Sequence, residues 1–346
     1  MSSMVTTHER PGVYSAYDAS AVVSGSGGGK VVGLAALCTG AAAGEAVRIT
    51  RYEDAVSAFG SGEEICELIR LLLLNVAAAV DAVPAADESG YAAAFAALEA
   101  VEDVAVVVCD STTLAVQQAL RDSVKAASAA RRERIGVAAG GETETVSQLV
   151  TRAEGLNAER MVLVAPADPS GKGRAAAAVA GAIAGENDPA VPLGGAVLRG
   201  LSGLKVQYSD NEIDLLVQGG VTPLESAAGE ISVVRGVTTR TKNGEAADST
   251  WRELSTIRIV DDVIPAVRNS LRAKFQRAKN TEQSRGAIRA QTILELENKL
   301  GREIITGYDG VTVTALEENP TVCLVEFSFT VTHGLNQIWL TAHVTV

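Results

Sequence analysis

Histidine is scarce in this chain: His8, His333 and His343 are the only three among 346 residues. One lies near the amino end and two near the carboxyl end, so imidazole-based proton transfer or zinc ligation has little to draw on. There is no H-E-x-x-H, no G-x-S-x-G, and no G-x-G-x-x-G placed between a strand and a helix. Cysteine is also sparse. Cys38, Cys66, Cys109 and Cys323 form no C-x-x-C pair, and each sits in an apolar run, so they read as buried free thiols and not as a metal or redox set. Aromatic residues are only 4% of a chain that is 47% hydrophobic, which calls for a core of small side chains packed closely between helices and sheet. Basic residues are outnumbered, 30 against 42 acids, giving a net charge of -12 and a pI near 4.9. That excludes nucleic acid or an anionic membrane as a partner for the surface as a whole, while leaving room for a local basic patch. The most apolar stretch, 71–83, is too short to cross a bilayer and contains Asp81. The opening MSSMVTTHERPGVY has no basic segment followed by an apolar one, so no secretory signal and a cytoplasmic synthesis are expected.

The length allows two domains. Residues 1–29 read as an arm, broken by Pro11-Gly12, followed by the flexible SGSGGG linker at 24–29. Lys30 after those glycines invites a phosphate-loop reading. The context contradicts it, because an arm precedes the glycines and a strand, VVGLAALC at 31–38, follows them. Residues 30–190 then alternate. Helices are expected at 49–59, 63–74 (capped by Ser61), 91–100, 112–131, 143–153 and 174–184; strands are expected at 76–85, 104–109, 134–139 and 161–165. Strands alternating with helices predict an α/β fold, a central parallel sheet with helices on both faces.

Ligands of such sheets sit beyond the carboxyl ends of the strands. Two loops there could carry chemistry. Asp110 in C-D-S-T is either a general base or part of a helix N-cap, with the cap favoured. The ADPSGKGR loop at 167–174, with Lys172, is either an anion cradle or an ordinary turn into a helix. No histidine follows a strand of this sheet. A doubly wound nucleotide-binding enzyme is therefore the alternative reading, resting on Asp110 and on Gly171 to Arg174.

Composition shifts near residue 190. The segment 191–333 reads as a smaller α+β domain: a turn-rich stretch, a short helix at 210–218, strands at 231–239 and 254–260, a helix at 263–277 opened by Asp261-Asp262, a second helix at 287–300, and a strand at 311–316. Between Pro265 and Ala290 the basic residues are Arg268, Arg272, Lys274, Arg277, Lys279, Arg285 and Arg289 against the single acid Glu282, a balance of 7 − 1 = +6 inside an acidic chain. Such an island favours an acidic protein partner.

Two period-two runs follow. Val325, Phe327, Phe329 and Val331 alternate with polar residues; after a break at 333–336, Ile338, Leu340, Ala342, Val344 and Val346 do so again. The two runs are expected to form a terminal hairpin, or the second, 334–346, to leave and enter a neighbour as an unprotected apolar strand.

The order of several motifs resembles the contractile phage tail sheath family, whose members occur in phages and in phage-tail-like bacteriocins. These motifs are Arg10-Pro11-Gly12-Val13-Tyr14, Pro192-Leu193-Gly194-Gly195 with Leu198-Arg199-Gly200, the helix and strand ending in R-G-V-T-T at 235–239, Asp261-Asp262-Val263-Ile264, Gly307-Tyr308, and the final alternating strands. The resemblance implies a structural protein without cofactor or catalytic residue. It implies copies stacked as hexameric rings around an acidic inner tail tube, with baseplate and tail terminator proteins as further partners and neither nucleic acid nor membrane insertion. It implies that Pro11, Gly12, Val13 and Tyr14 at one end, and Ile338, Leu340, Ala342, Val344 and Val346 at the other, form strands in neighbouring copies. Arg268, Arg272, Lys274, Arg277 and Lys279 would then face the tube. Assembly would occur in the bacterial cytoplasm, and the product would be a virion tail or a released tail-like particle.

Overall fold

The computed structural model describes residues 29–336 together with Leu340 and Thr341. The expected amino-terminal arm, including Pro11, Gly12, Val13 and Tyr14, lies outside the described residues, as do Ile338, Ala342, Val344 and Val346.

In chain order the elements are β1 (Val31–Leu37), β2 (Val47–Ile49), α1 (Tyr52–Phe59), α2 (Glu64–Leu74), β3 (Ala79–Ala85), α3 (Tyr91–Ala100), β4 (Val104–Cys109), α4 (Leu114–Ala129), β5 (Ile135–Ala139), α5 (Val146–Leu156), β6 (Met161–Ala165) and α6 (Arg174–Gly185). They are followed by β7 (Val197–Leu198), α7 (Asp210–Gln218), β8 (Val221–Ala227), β9 (Glu230–Val233), β10 (Lys242–Asn243), β11 (Ala246–Ala247), α8 (Leu254–Phe275), α9 (Glu282–Gly301), β12 (Ile305–Leu316) and β13 (Asn319–Val331).

Nine strands form one sheet in the order β2-β3-β1-β4-β5-β6-β8-β9-β7. The six from β3 to β8 are parallel, and antiparallel pairs finish both edges. The central parallel strands β1, β4, β5 and β6 are apolar on both faces because each face meets helices. Val106 and Val108 of β4 enter one core with Leu68 and Leu72 of α2 and most of α6. Val107 and Cys109 enter the other with Phe95 of α3, Leu120 of α4, Leu149 of α5 and Leu216 of α7. The scarcity of aromatics finds its reason in α6, where nine of twelve residues are buried, seven of them Ala or Gly. A Cβ added at Gly181 would lie 2.8 Å from the Leu72 carbonyl oxygen, so α2 crosses α6 almost backbone to backbone.

Several expectations are corrected. The sheet runs past residue 190: β7, β8 and β9 complete it, so the compositional shift is not an edge of this sheet. The helix expected from 49 starts at Tyr52, because Val47–Ile49 pairs with β3. Glu63, not Ser61, precedes α2. The expected strand at 231–239 ends at Val233; beyond it Val237 is held through both its amide and its carbonyl by the buried Thr222 hydroxyl. Residues 254–260 are not a strand but the first turns of α8. Ser255, Ile259, Val263 and Val267, spaced by four, are buried along that helix. Asp261 and Asp262 therefore lie mid-helix, where they pair with Arg160 and Lys299. The second helix starts at Glu282, capped by Thr281, before Gly286. Finally, β13 pairs with β12 as an antiparallel ribbon with Ile305 opposite Val331, while most of the expected second strand at 338–346 lies outside the described residues.

Helix α8 joins the two parts of the fold. Its first turns place Leu254 and Ile257 in the core beneath the sheet. Further along, Ile259 and Val263 join Leu296, Ile304, Ile305, Val311 and Ala190 in a separate small core under the ribbon.

Candidate assembly surfaces

The carboxyl ends of the parallel strands are filled by the chain itself. Asp110, after β4, accepts from the Tyr91 hydroxyl and from the Leu37 amide at 3.2 Å. Burial pushes its carboxyl up from the usual range, with those two donors pulling the other way. It therefore fastens α3 and β1 to β4 and does not cap α4, whose N-cap residue is Thr113. The 167–174 loop is equally self-occupied. Asp168 accepts from the Ser170 amide at 2.7 Å and the Ser202 amide at 2.8 Å, and Arg174 binds both oxygens of Glu64 at 2.5 and 2.8 Å. The two candidate loops do meet, but in contact. Gly173, at φ +72°, backs onto Asp110 so closely that a Cβ would lie 2.5 Å from the Asp110 Cα. Lys172 is exposed, as are Pro169 and Ser170. The crevice that a doubly wound enzyme would use is occupied by backbone.

The basic island divides in two. Arg268 is tied back to the body by a 2.5 Å bridge to Glu133 at the foot of β5, and Lys274 reaches Gln291 of α9 at 2.5 Å. Arg272, Arg277 and Lys279 are exposed, and their side chains have no hydrogen-bond or ion-pair partner among the described residues. Arg272, in the last turn of α8, also stands where the helix dipole favours positive charge. Three unneutralised cations thus project where α8 ends.

The ribbon leaves long edges unfilled among the described residues. It is a two-stranded sheet, and each strand has an outer edge with no partner strand among the described residues. One face, with Tyr308, Phe327, Phe329 and Val331, packs on the small core. Leu324 stays 41% exposed. A two-stranded ribbon is marginal by itself, and edges this long are templates for another strand. Leu340 is 90% exposed and Leu335 75%, so these two apolar residues beyond the ribbon are not buried by this copy.

Sequence reasoning missed β8 and β7, ran β9 on to residue 239, and missed the staples from α8 to the body and the pairing of β13 with β12. The four-residue spacing from Ser255 to Val267 was the signal for the longer α8.

Two family descriptions match the chain: "Phage tail sheath protein central domain" over residues 85–239 and "Phage tail sheath C-terminal domain" over residues 246–345. A tail sheath protein of Bacillus phage SP01 is 28% identical over 261 residues, covering 70% of this chain; the chain spans 43% of that relative's length. Among solved structures, the baseplate of the anti-feeding prophage contains a chain that superposes with TM-score 0.76 at 18% identity over 98% of this chain and all of that one. The helical sheath of the same particle in its contracted state gives 0.72 at 17% identity over 97% and 99%. A sheath tail protein of Listeria innocua gives 0.72 at 15% identity over 90% and 93%. The structural likenesses carry the α/β fold, and the two family matches together span both parts of it: this chain belongs to the phage tail sheath protein family.

Proposed function

We propose that this chain is the structural subunit of a contractile tail sheath. Copies stack as six-membered rings around an inner tube, on a baseplate and below a terminator, and shorten from a metastable extended state to drive the tube through a target envelope. The observation that carries this reading is the unfinished ribbon, with two edges that have no partner strand among the described residues and an apolar, alternating sequence following it. The arm at 1–29 and the segment 334–346 are the strands that fill those edges in neighbouring copies, through Val13 and Tyr14 and through Ile338, Leu340, Ala342, Val344 and Val346. Main-chain hydrogen bonds supply affinity, and alternation fixes register. No nucleotide is consumed; the work comes from the difference between two packings of the same subunits.

Electron microscopy of the purified chain tests this. Tubes or stacked rings are expected, and deletion of residues 334–346 is expected to leave a folded monomer that forms neither. A deletion variant that still polymerises refutes strand donation. The exposed Arg272, Arg277 and Lys279 are the surface proposed to meet an acidic tube. Their reversal to glutamate should abolish tube-templated assembly, and wild-type assembly on the tube should weaken with salt. Arg268 and Lys274 contribute less, because each is already engaged within the subunit.

A further inference from the structure

We infer that Arg258 is a positioning residue that holds the roots of the two arms side by side. The inference rests on the reading of the flanking segments as arms, but its geometry lies wholly within the described residues. The amino-terminal root is pinned at Lys30, whose amide donates to Ala184 O at 2.9 Å and whose carbonyl accepts from the Ala78 amide at 3.1 Å. Gly29 presses on the turn before β3, where a Cβ would fall 2.2 Å from the Val76 oxygen. The carboxyl-terminal root follows the bond from the Thr332 amide to Ile304 O at 3.3 Å. It then crosses Pro192, whose Cβ would be 2.8 Å from a Cβ at Gly334. Val76, Gly185, Glu186 and Pro192 line one crevice, of about 220 Å³. The two roots are therefore separated by little more than the 186–192 segment.

That segment has no regular structure, yet it must hold one shape to keep the roots in place. Arg258 supplies the shape. It is 3% exposed and reaches from α8 to three carbonyls: Glu186 O at 2.8 Å, Asp188 O at 3.2 Å and Val191 O at 3.2 Å. A planar guanidinium with five N–H donors fits a set of converging carbonyls; an ammonium does not span them. Arg258 also borders, with Lys30, the cavity of about 400 Å³ under α8, so one side chain faces the amino-terminal root and grips the segment that seats the other. A carboxylate partner would have sufficed for charge. Three main-chain contacts specify backbone geometry instead, which is what a fixed spacing between two donated strands needs.

The test is a distance measurement on the full chain as a monomer. Spin labels at Lys30→Cys and Leu335→Cys, with Cys323→Ser to remove the most accessible described thiol, should give one narrow separation by pulsed electron resonance. Arg258→Met should broaden it severalfold while the far-ultraviolet spectrum stays unchanged. Arg258→Lys should remain broadened, because charge alone does not restore the fork; it also serves as the readout if Arg258→Met does not fold. Gly334→Val, at a half-buried surface position, should shift the separation with Arg258 intact. An unchanged narrow distribution in a folded Arg258 variant overturns the inference, as does a broad one in the parent. Polymerisation is read separately. If the parent forms no tubes but the distances behave as stated, the sheath reading fails and the positioning role stands.

Discussion

The same substitution, glycine to alanine, should have opposite signs at two helical positions. At Gly181 of α6 an added Cβ would lie 2.8 Å from both the Asn75 Cβ and the Leu72 carbonyl oxygen, and 3.2 Å from the Leu72 Cα. Two of these three atoms belong to the α2 backbone, so a rotamer change cannot relieve the clash; the helix must move. Overpacking of this kind costs about 1–3 kcal/mol. Asn75 moves with it. Its amide group donates to Leu71 O and Arg199 O at 2.9 Å and accepts from the Arg199 amide at 2.9 Å. Losing one such bond costs about 0.5–1.5 kcal/mol. Against this stands a helix-propensity gain of about 1 kcal/mol. The net for Gly181→Ala is a loss of about 0.5–3.5 kcal/mol. At Gly286 of α9 an added Cβ meets nothing within 4 Å, so only propensity acts, and Gly286→Ala should gain about 0.5–1 kcal/mol. Urea unfolding followed by Trp251 fluorescence reports the body, since Trp251 packs on the core that holds α2 and α6. Hydrogen exchange of the α9 amides reports the second site. A Gly181→Ala chain with an unchanged or raised midpoint would refute the claim that α2 and α6 are in backbone contact.

Three further outcomes are expected. Asp110→Asn should lower the melting temperature, because an amide cannot accept from both the Tyr91 hydroxyl and the Leu37 amide and turns a donor on one of them, at a cost of about 1–3 kcal/mol. Burial pushes the Asp168 carboxyl up, but the Ser170 and Ser202 amides and hydroxyls outweigh it and hold it below the usual aspartate range. Its contribution is therefore complete above the unfolded-state value and fades as pH falls through the lower folded one; proteolysis within 167–174 should accelerate only below about pH 4. Of the four thiols, only Cys323 is partly exposed, while Cys38, Cys66 and Cys109 are buried and burial raises all three. A maleimide should modify one site quickly in the monomer, and that site should be protected in tubes if a strand covers the ribbon; four fast thiols would contradict the fold.

What the sequence revealed depended on whether the deciding partner was near in the chain. The bounds of α3, β4, β6 and α7 are legible because short apolar runs, a Ser209 cap and a Gly-Gly stop act locally. Strand β8 was hidden: V-T-P-L is brief, carries a proline, and becomes a strand beside the edge that β6 offers, whereas β9 was visible and only its end at Val233 was not. The I-R-I-V stretch read as alternation because nothing local reveals that Arg258 is buried against carbonyls some 70 residues earlier. The basic island was visible as composition. Its division was not, since Glu133, which occupies Arg268, lies 135 positions away. The strand character of β13 was plain, but its pairing with β12 was not; Gly-Tyr-Asp-Gly in β12 obscures a pairing that includes irregularities near Ile305 and Asp309.

The ribbon turns on residues 317 and 318 alone, while the sheet must bring β6 and β8 together across more than fifty residues. Hairpins close in about 1–10 μs, whereas parallel pairing with long crossovers is slow. The surface able to capture a strand can thus close before the parallel sheet does, and in a refolding chain it would be sticky before the body could give it orientation. Its position in the chain counters this. At about 5–20 residues per second on the ribosome, the body has seconds to close before residues 305–331 exist at all. Dilution from denaturant should therefore give more tangled material than biosynthesis does, because it removes that head start.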